Sequence, residues 1–69
     1  MNLLLQQIIL IRKNLGLSQR DFANKIGMTH THYNAIEKGR KNITIDILER
    51  IATATNTRLV ITFISKKYK

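Results

Sequence analysis

Residues 18–40, SQRDFANKIGMTHTHYNAIEKGR, decide how this chain folds. Ser18 with Asp21 three residues on has the form of a capping box, with Asp in place of the usual Glu. A helix therefore starts there. Phe22, Ala23 and Ile26 recur at helical spacing and give its inner face. Gly27-Met28 makes a tight turn, where glycine takes a left-handed backbone without a Cβ penalty. Thr29 then caps a further helix, expected to run to about Lys38 before Gly39 stops it. The buried pair of that helix is Tyr33 and Ile36. The small Ala23 lets the second helix pack close across the first, which pushes the second outward.

The pattern extends to both sides. Leu4, Ile8, Ile11 and Leu15 form one apolar stripe, which predicts a first helix from Leu3 to Asn14, closed by Gly16. That helix is also apolar on both flanks, through Leu5 and Ile9 on one and Leu3 and Leu10 on the other. It wants cover on more than one side. Thr44 caps a last helix with Asp46 in its first turn, where the helix dipole favours an anion. Ile47, Leu48, Ile51 and Ala52 give its core face. Residues 58–64, RLVITFI, are β-branched and aromatic and read as a strand. Residues 65–69 make a basic tail. The expected layout is thus a helical domain over 1–57, a dimerising strand over 58–64 and a tail over 65–69.

Twelve Lys and Arg against four Asp and Glu give the 69-residue chain a formal charge of +8. Such a charge on one small domain points to a polyanion, with nucleic acid the commonest candidate and an anionic membrane surface the rival. The leucine-rich start lacks a basic leader and is broken by Gln6 and Gln7. It fits neither a signal peptide nor a spanning helix, so a soluble, cytoplasmic protein is expected. Cysteine is absent, which excludes a disulfide or thiolate metal site. His30 and His32 lie about 200° apart on a helix and share no face, so no metal is expected. No nucleophile motif or phosphate loop is present, Asp46 and Glu49 read as surface charges, and neither an enzyme nor a cofactor is expected.

Two short helices across a tight turn suit a major groove, with the second helix reading it. At 100° per residue, Tyr33 and Ile36 point inward. Thr31, Asn34 and Ala35 lie on the opposite face, with His30 on its edge. Asn34 suits adenine, since its amide both donates and accepts; Thr31 offers a hydroxyl or a methyl, and Ala35 an apolar contact. His32 lies on the flank, towards a phosphate or the protein body. Lys38, Arg40 and Lys41 follow directly and would lie along the DNA backbone, giving affinity without sequence information.

Gly16-Leu17-Ser18-Gln19, Ala23, Lys25-Ile26-Gly27, Thr29, Ile36-Glu37 and Gly39 resemble the Cro/C1-repressor-type, or Xre, helix-turn-helix family. The resemblance implies a compact, mainly α, four-to-five-helix lambda-repressor-like domain. It implies that Gln19 binds a phosphate and that Thr29, His30, Thr31, Asn34 and Ala35 are base-reading positions. It also implies an ion pair between Arg12 and Glu37. Tyr33 departs from the family, which usually has Ile or Val there, and His30 and His32 replace commoner Gln, Ser or Thr.

The strand raises a separate matter. Its backbone needs partners, and no second strand candidate exists in the sequence. Leu59, Ile61 and Phe63 lie on one side and Val60 and Ile64 on the other, so both faces want burial. Pairing of Leu59, Val60, Ile61, Thr62, Phe63 and Ile64 with the same strand of a second copy answers both needs. A two-fold dimer would read half-sites about 34 Å apart. A short domain of this type ending in one strand resembles HipB-type antitoxins, which implies a repressor of its own operon and a HipA-like kinase toxin as partner. The alternatives are a phage-type repressor, a restriction-modification controller, or an interaction module that mainly neutralises a partner.

Overall fold

The computed structural model describes residues 3–66. Four helices follow one another: α1 Leu3–Asn14, α2 Gln19–Lys25, α3 His30–Glu37 and α4 Ile45–Thr55. Each of the last three begins at a hydroxyl cap. The side chains of Ser18, Thr29 and Thr44 accept from the backbone N–H of Asp21, His32 and Ile47 respectively, satisfying one otherwise orphaned donor per helix. The α2–α3 turn closes at Gly27, φ +75°, where Met28 N–H donates to the Ala23 carbonyl at 2.8 Å. A Cβ at Gly27 would have room, its nearest neighbour being Arg50 Nη1 at 3.9 Å. The requirement for glycine there is conformational rather than steric crowding. At the end of α4 the same left-handed role falls to Asn56, φ 56°, the residue after glycine that tolerates it best.

The core is one apolar cluster drawn from all four helices: Ile8, Phe22, Ala23, Ile26, Tyr33, Ile36, Ile47, Leu48 and Ile51. Ala23 is fully buried, so α3 passes close over α2. The Phe22 and Tyr33 rings meet across that crossing, centroids 5.2 Å apart and tilted by 54°, a favourable aromatic geometry. The crossing leaves the outer side of α3 uncovered.

Three expectations are corrected. The α1 stripe does not reach Leu15, which is 47% exposed. The helix has ended at Asn14 and the chain is already turning there, with Leu15 N–H bonded back to Ile11 and Arg12. Ala52 is half-buried rather than core. Finally, residues 58–64 form no strand: among the described residues the fold holds four helices and no sheet. β-Branched side chains favour an extended backbone, but a strand also needs a ladder, and the described residues offer no second segment to build one.

Leu59 alone of the C-terminal apolar residues packs on the core. It closes a groove between α1 and α4 lined by Leu4, Ile8, Ile11, Leu48 and Ile51. Beyond it Val60, Ile61, Phe63 and Ile64 are exposed, Phe63 to 99%. One flank of α1 also stays open, at Leu3 and Leu10, whereas Leu5 and Ile9 on the other are half-buried. Lys67, Tyr68 and Lys69 of the basic tail lie outside the described residues. No described helix is long and apolar enough to cross a membrane.

Candidate nucleic-acid interface

The outer side of α3 is where the candidate reading residues fall. Thr31 is exposed, and Asn34 and Ala35 are half-buried on the same side of the helix. His30 is half-buried at the edge of this face. Thr29 is occupied as the cap of α3, its hydroxyl accepting from His32 N–H at 3.2 Å. His32 is exposed on the flank of the helix, three residues before Ala35 and on the same groove as Thr29. It lines a shallow groove with Thr44, Asp46, Ile47 and Arg50 at the start of α4. A phosphate lying there would meet His32 at the periphery of the helix rather than at its reading face.

Lys38, Arg40 and Lys41 are exposed in the loop that leaves α3. The loop is held back against the helix, since both Arg40 N–H and Lys41 N–H donate to the Ala35 carbonyl, at 2.9 and 3.3 Å. Three cations are therefore clustered by backbone bonds next to the reading face. Lys38 is one turn on from Asn34 and two from Thr31, which puts it on the same side of α3.

Under that face lies a polar network centred on Glu37. Arg12 Nε donates to Glu37 Oε2 at 2.8 Å, and Arg12 Nη2 reaches Oε1 at 3.4 Å. Arg12 Nη1 donates to the Leu17 carbonyl at 2.9 Å, so one guanidinium ties together α1, the α1–α2 loop and α3. Gln19 Nε2 donates to Glu37 Oε1 at 2.8 Å, and the Tyr33 hydroxyl donates to Oε2. Gln19 Oε1 in turn accepts from Asn34 Nδ2 at 2.6 Å. The side chains of the ion pair are nearly enclosed, 12% exposed for Arg12 and 6% for Glu37. Burial alone would push the Glu37 carboxyl up, but hydrogen bonds from Arg12, Tyr33 and Gln19 outweigh it and hold it below its ordinary range. The bond to Glu37 raises the Arg12 guanidinium further. Burial, with the same carboxylate, pushes the Tyr33 hydroxyl well up, so it serves as a donor at any working pH.

Two features of this network were not read from the sequence. Tyr33 counted only as a core residue, yet its four-residue spacing to Glu37 already places the two on one helix face. The Gln19–Asn34 bond had no such signal, because it crosses from α2 to α3 and depends on how the two helices are set. It also changes the outlook for Gln19. Both polar atoms of its amide are engaged within the protein, which leaves one Nε2 hydrogen for a phosphate.

Tyr33→Phe keeps the ring against Phe22 but removes one donor to the carboxylate. Bonds to a charged group contribute about 1.5–3 kcal/mol. The urea midpoint should fall by that equivalent with an unchanged slope. An unaltered midpoint would mean that the hydroxyl is solvated in solution.

Two curated sequences resemble that of this chain. An uncharacterized HTH-type transcriptional regulator of Methanothermobacter thermautotrophicus is 42% identical over 43 residues, 62% of either chain. Control protein C.MunI of a Mycoplasma species is 34% identical over 48 residues, 70% of this chain and 65% of its own. The chain thus spans less than two thirds of the length of each of these relatives. No solved structure matches the chain significantly. The model of the helix-turn-helix family matches residues 8–61, well over half of the sequence, and the chain belongs to that family, of Xre/Cro–C1 type.

Proposed function

We propose that the protein is a sequence-specific DNA-binding transcription regulator that lays α3 in the major groove. The observation that carries this is the uncovered outer side of α3, with Thr31 and Asn34 on it and three clustered cations beside it. Thr29, His30, Thr31, Asn34 and Ala35 are the base-reading set. Lys38, Arg40 and Lys41 lie along the phosphates, with His32 and the spare N–H of Gln19 at the edges of the contact. The excess of basic over acidic residues supports a polyanionic partner. It acts in the cytoplasm and without catalysis or cofactor.

Selection from short randomised duplexes at moderate salt tests this: one sequence class, two-fold in form, should be enriched. Arg40→Ala should then weaken binding to the selected and to random duplexes alike, and lower the slope of log affinity against log salt by about one. A loss confined to the selected duplex would remove Arg40 from the backbone contacts.

A second copy of the chain supplies the other half-site. Between Arg58 and Ile64 no backbone N–H or C=O enters a backbone–backbone bond among the described residues, and four apolar side chains there are exposed. Pairing of Leu59–Ile64 with the same segment of a partner builds the missing ladder and covers those side chains. Likeness to a protein named as a control protein supports a controller-type regulator. The exposed segment is equally suited to a protein partner, and this favours, as a second reading, an antitoxin that holds a HipA-like kinase toxin there. Co-expression with the product of a neighbouring reading frame, followed by mass measurement of the purified complex, separates the two.

A further inference from the structure

The reading face carries one side chain whose hydrogen-bonding polarity is set from inside the protein. A free amide can present either its NH2 or its carbonyl to a neighbour, so it must first be ordered before it can pair with a base edge. Asn34 is not free. An ionised carboxylate only accepts, so Gln19 must turn its Nε2 to Glu37, where it sits 2.8 Å from Oε1. The Gln19 Oε1 is then left to face Asn34, and it accepts from Nδ2 at 2.6 Å. Asn34 gives one hydrogen to Gln19 and keeps its second N–H and Oδ1, a donor beside an acceptor.

We propose that Glu37 and Gln19 are positioning residues that hold Asn34 one way round, so that it reads an adenine in the major groove. Adenine offers an acceptor at N7 and a donor at N6, which match the remaining pair on Asn34. Guanine would set its O6 against Oδ1, acceptor against acceptor, and turning the amide over would only move that clash to N7; what the fixed orientation adds is a donor–acceptor pair already ordered for adenine. The Glu37 carboxylate is itself kept in place by Arg12 and Tyr33, so the orientation is anchored in the core. This inference rests on the major-groove reading of α3 given above.

The test uses the full chain, the duplex selected by the wild type and the set of its single-base-pair variants. Asn34→Ala is expected to abolish a roughly tenfold preference for adenine at one base pair. Gln19→Ala, folded by circular dichroism, should reduce that preference severalfold at the same base pair. The double variant should be no worse there than Asn34→Ala alone. Glu37→Gln, whose amide can face either way, should behave like Gln19→Ala in whatever fraction stays folded. An equal loss on every duplex with Gln19→Ala, the preference at that base pair being kept in full, would leave Gln19 a phosphate contact alone and overturn the proposal, as would an effect at a different base pair. A readout without DNA separates the two levels. The Asn34 side-chain amide should give one proton slowed in exchange in the free wild type and none in Gln19→Ala. An identical amide signal in both overturns the orientation itself. If the amide signature is present but no duplex sequence is enriched, the DNA reading fails and the adenine role fails with it.

Discussion

Glu37→Ala is expected to unfold most of the chain at room temperature. The substitution leaves the Arg12 guanidinium, 12% exposed, without its counter-charge, and leaves Tyr33 and Gln19 without their acceptor. Breaking a buried pair from one side costs about 3–5 kcal/mol. A core of this size rarely supplies more than about 3–5 kcal/mol in all, so the loss is comparable with the whole stability. Circular dichroism at 222 nm should show the helical signal largely gone, or a melting curve moved below ambient temperature. A shift of only a few degrees would mean that water replaces the carboxylate. Replacing both partners by Met should recover only part of the loss, because the Tyr33 hydroxyl would still be buried without an acceptor. The same pair sets an acid limit. The folded carboxyl lies below its ordinary value near 4.5, so its contribution is present in full above that value. It is lost as pH falls through the lower, folded value. Acid unfolding should therefore begin below the ordinary carboxylate range, and earlier in Tyr33→Phe, where one of the bonds that lower the carboxyl is missing.

The second large effect is expected at Phe63. Its side chain is 99% exposed in the single chain, so Phe63→Lys should leave the monomer's fold and melting unchanged when the protein is dilute. Pairing of 59–64 with a second copy would instead place a charge inside the interface. Light scattering should show a dimeric wild type and a monomeric variant at the same concentration. Affinity for a two-fold duplex should fall roughly a hundredfold or more, because the second half-site is no longer bound as an intramolecular step. Unchanged mass and affinity would move the interface elsewhere, and the open α1 flank at Leu3 and Leu10 would be the next surface to alter. Phe63→Lys is preferable to deleting the segment, since deletion would also remove Leu59 from the α1–α4 groove and confuse dimerisation with stability.

Local signals carried most of the helical architecture. Ser18, Thr29 and Thr44 are hydroxyls placed to satisfy N–H groups three residues on, and Gly27 is where the backbone needs a positive φ. Such effects act within one turn of chain and are legible without a structure. The inward set of Phe22, Ala23, Tyr33 and Ile36 follows from helical period in the same way. So does the outer face of α3, whose candidate residues could be named by counting. The Arg12–Glu37 contact, 25 residues apart, came from resemblance rather than spacing.

Where the reading went astray, a tertiary or partner term was missing. Leu15 obeyed the period but lay one residue beyond the end of α1. Residues 58–64 have the composition of a strand, yet a strand is a property of two segments, and the described residues of one chain supply no second. The order of residues over 18–41 by itself determined that α3 would stand outward beside a cluster of cations, because capping, turn and period are local. Only the tertiary structure decided that Asn34 on that helix is held one way round by Gln19 and Glu37. That orientation depends on the distance at which α2 and α3 cross, and on a carboxylate that must accept once Arg12 and burial have shaped its surroundings.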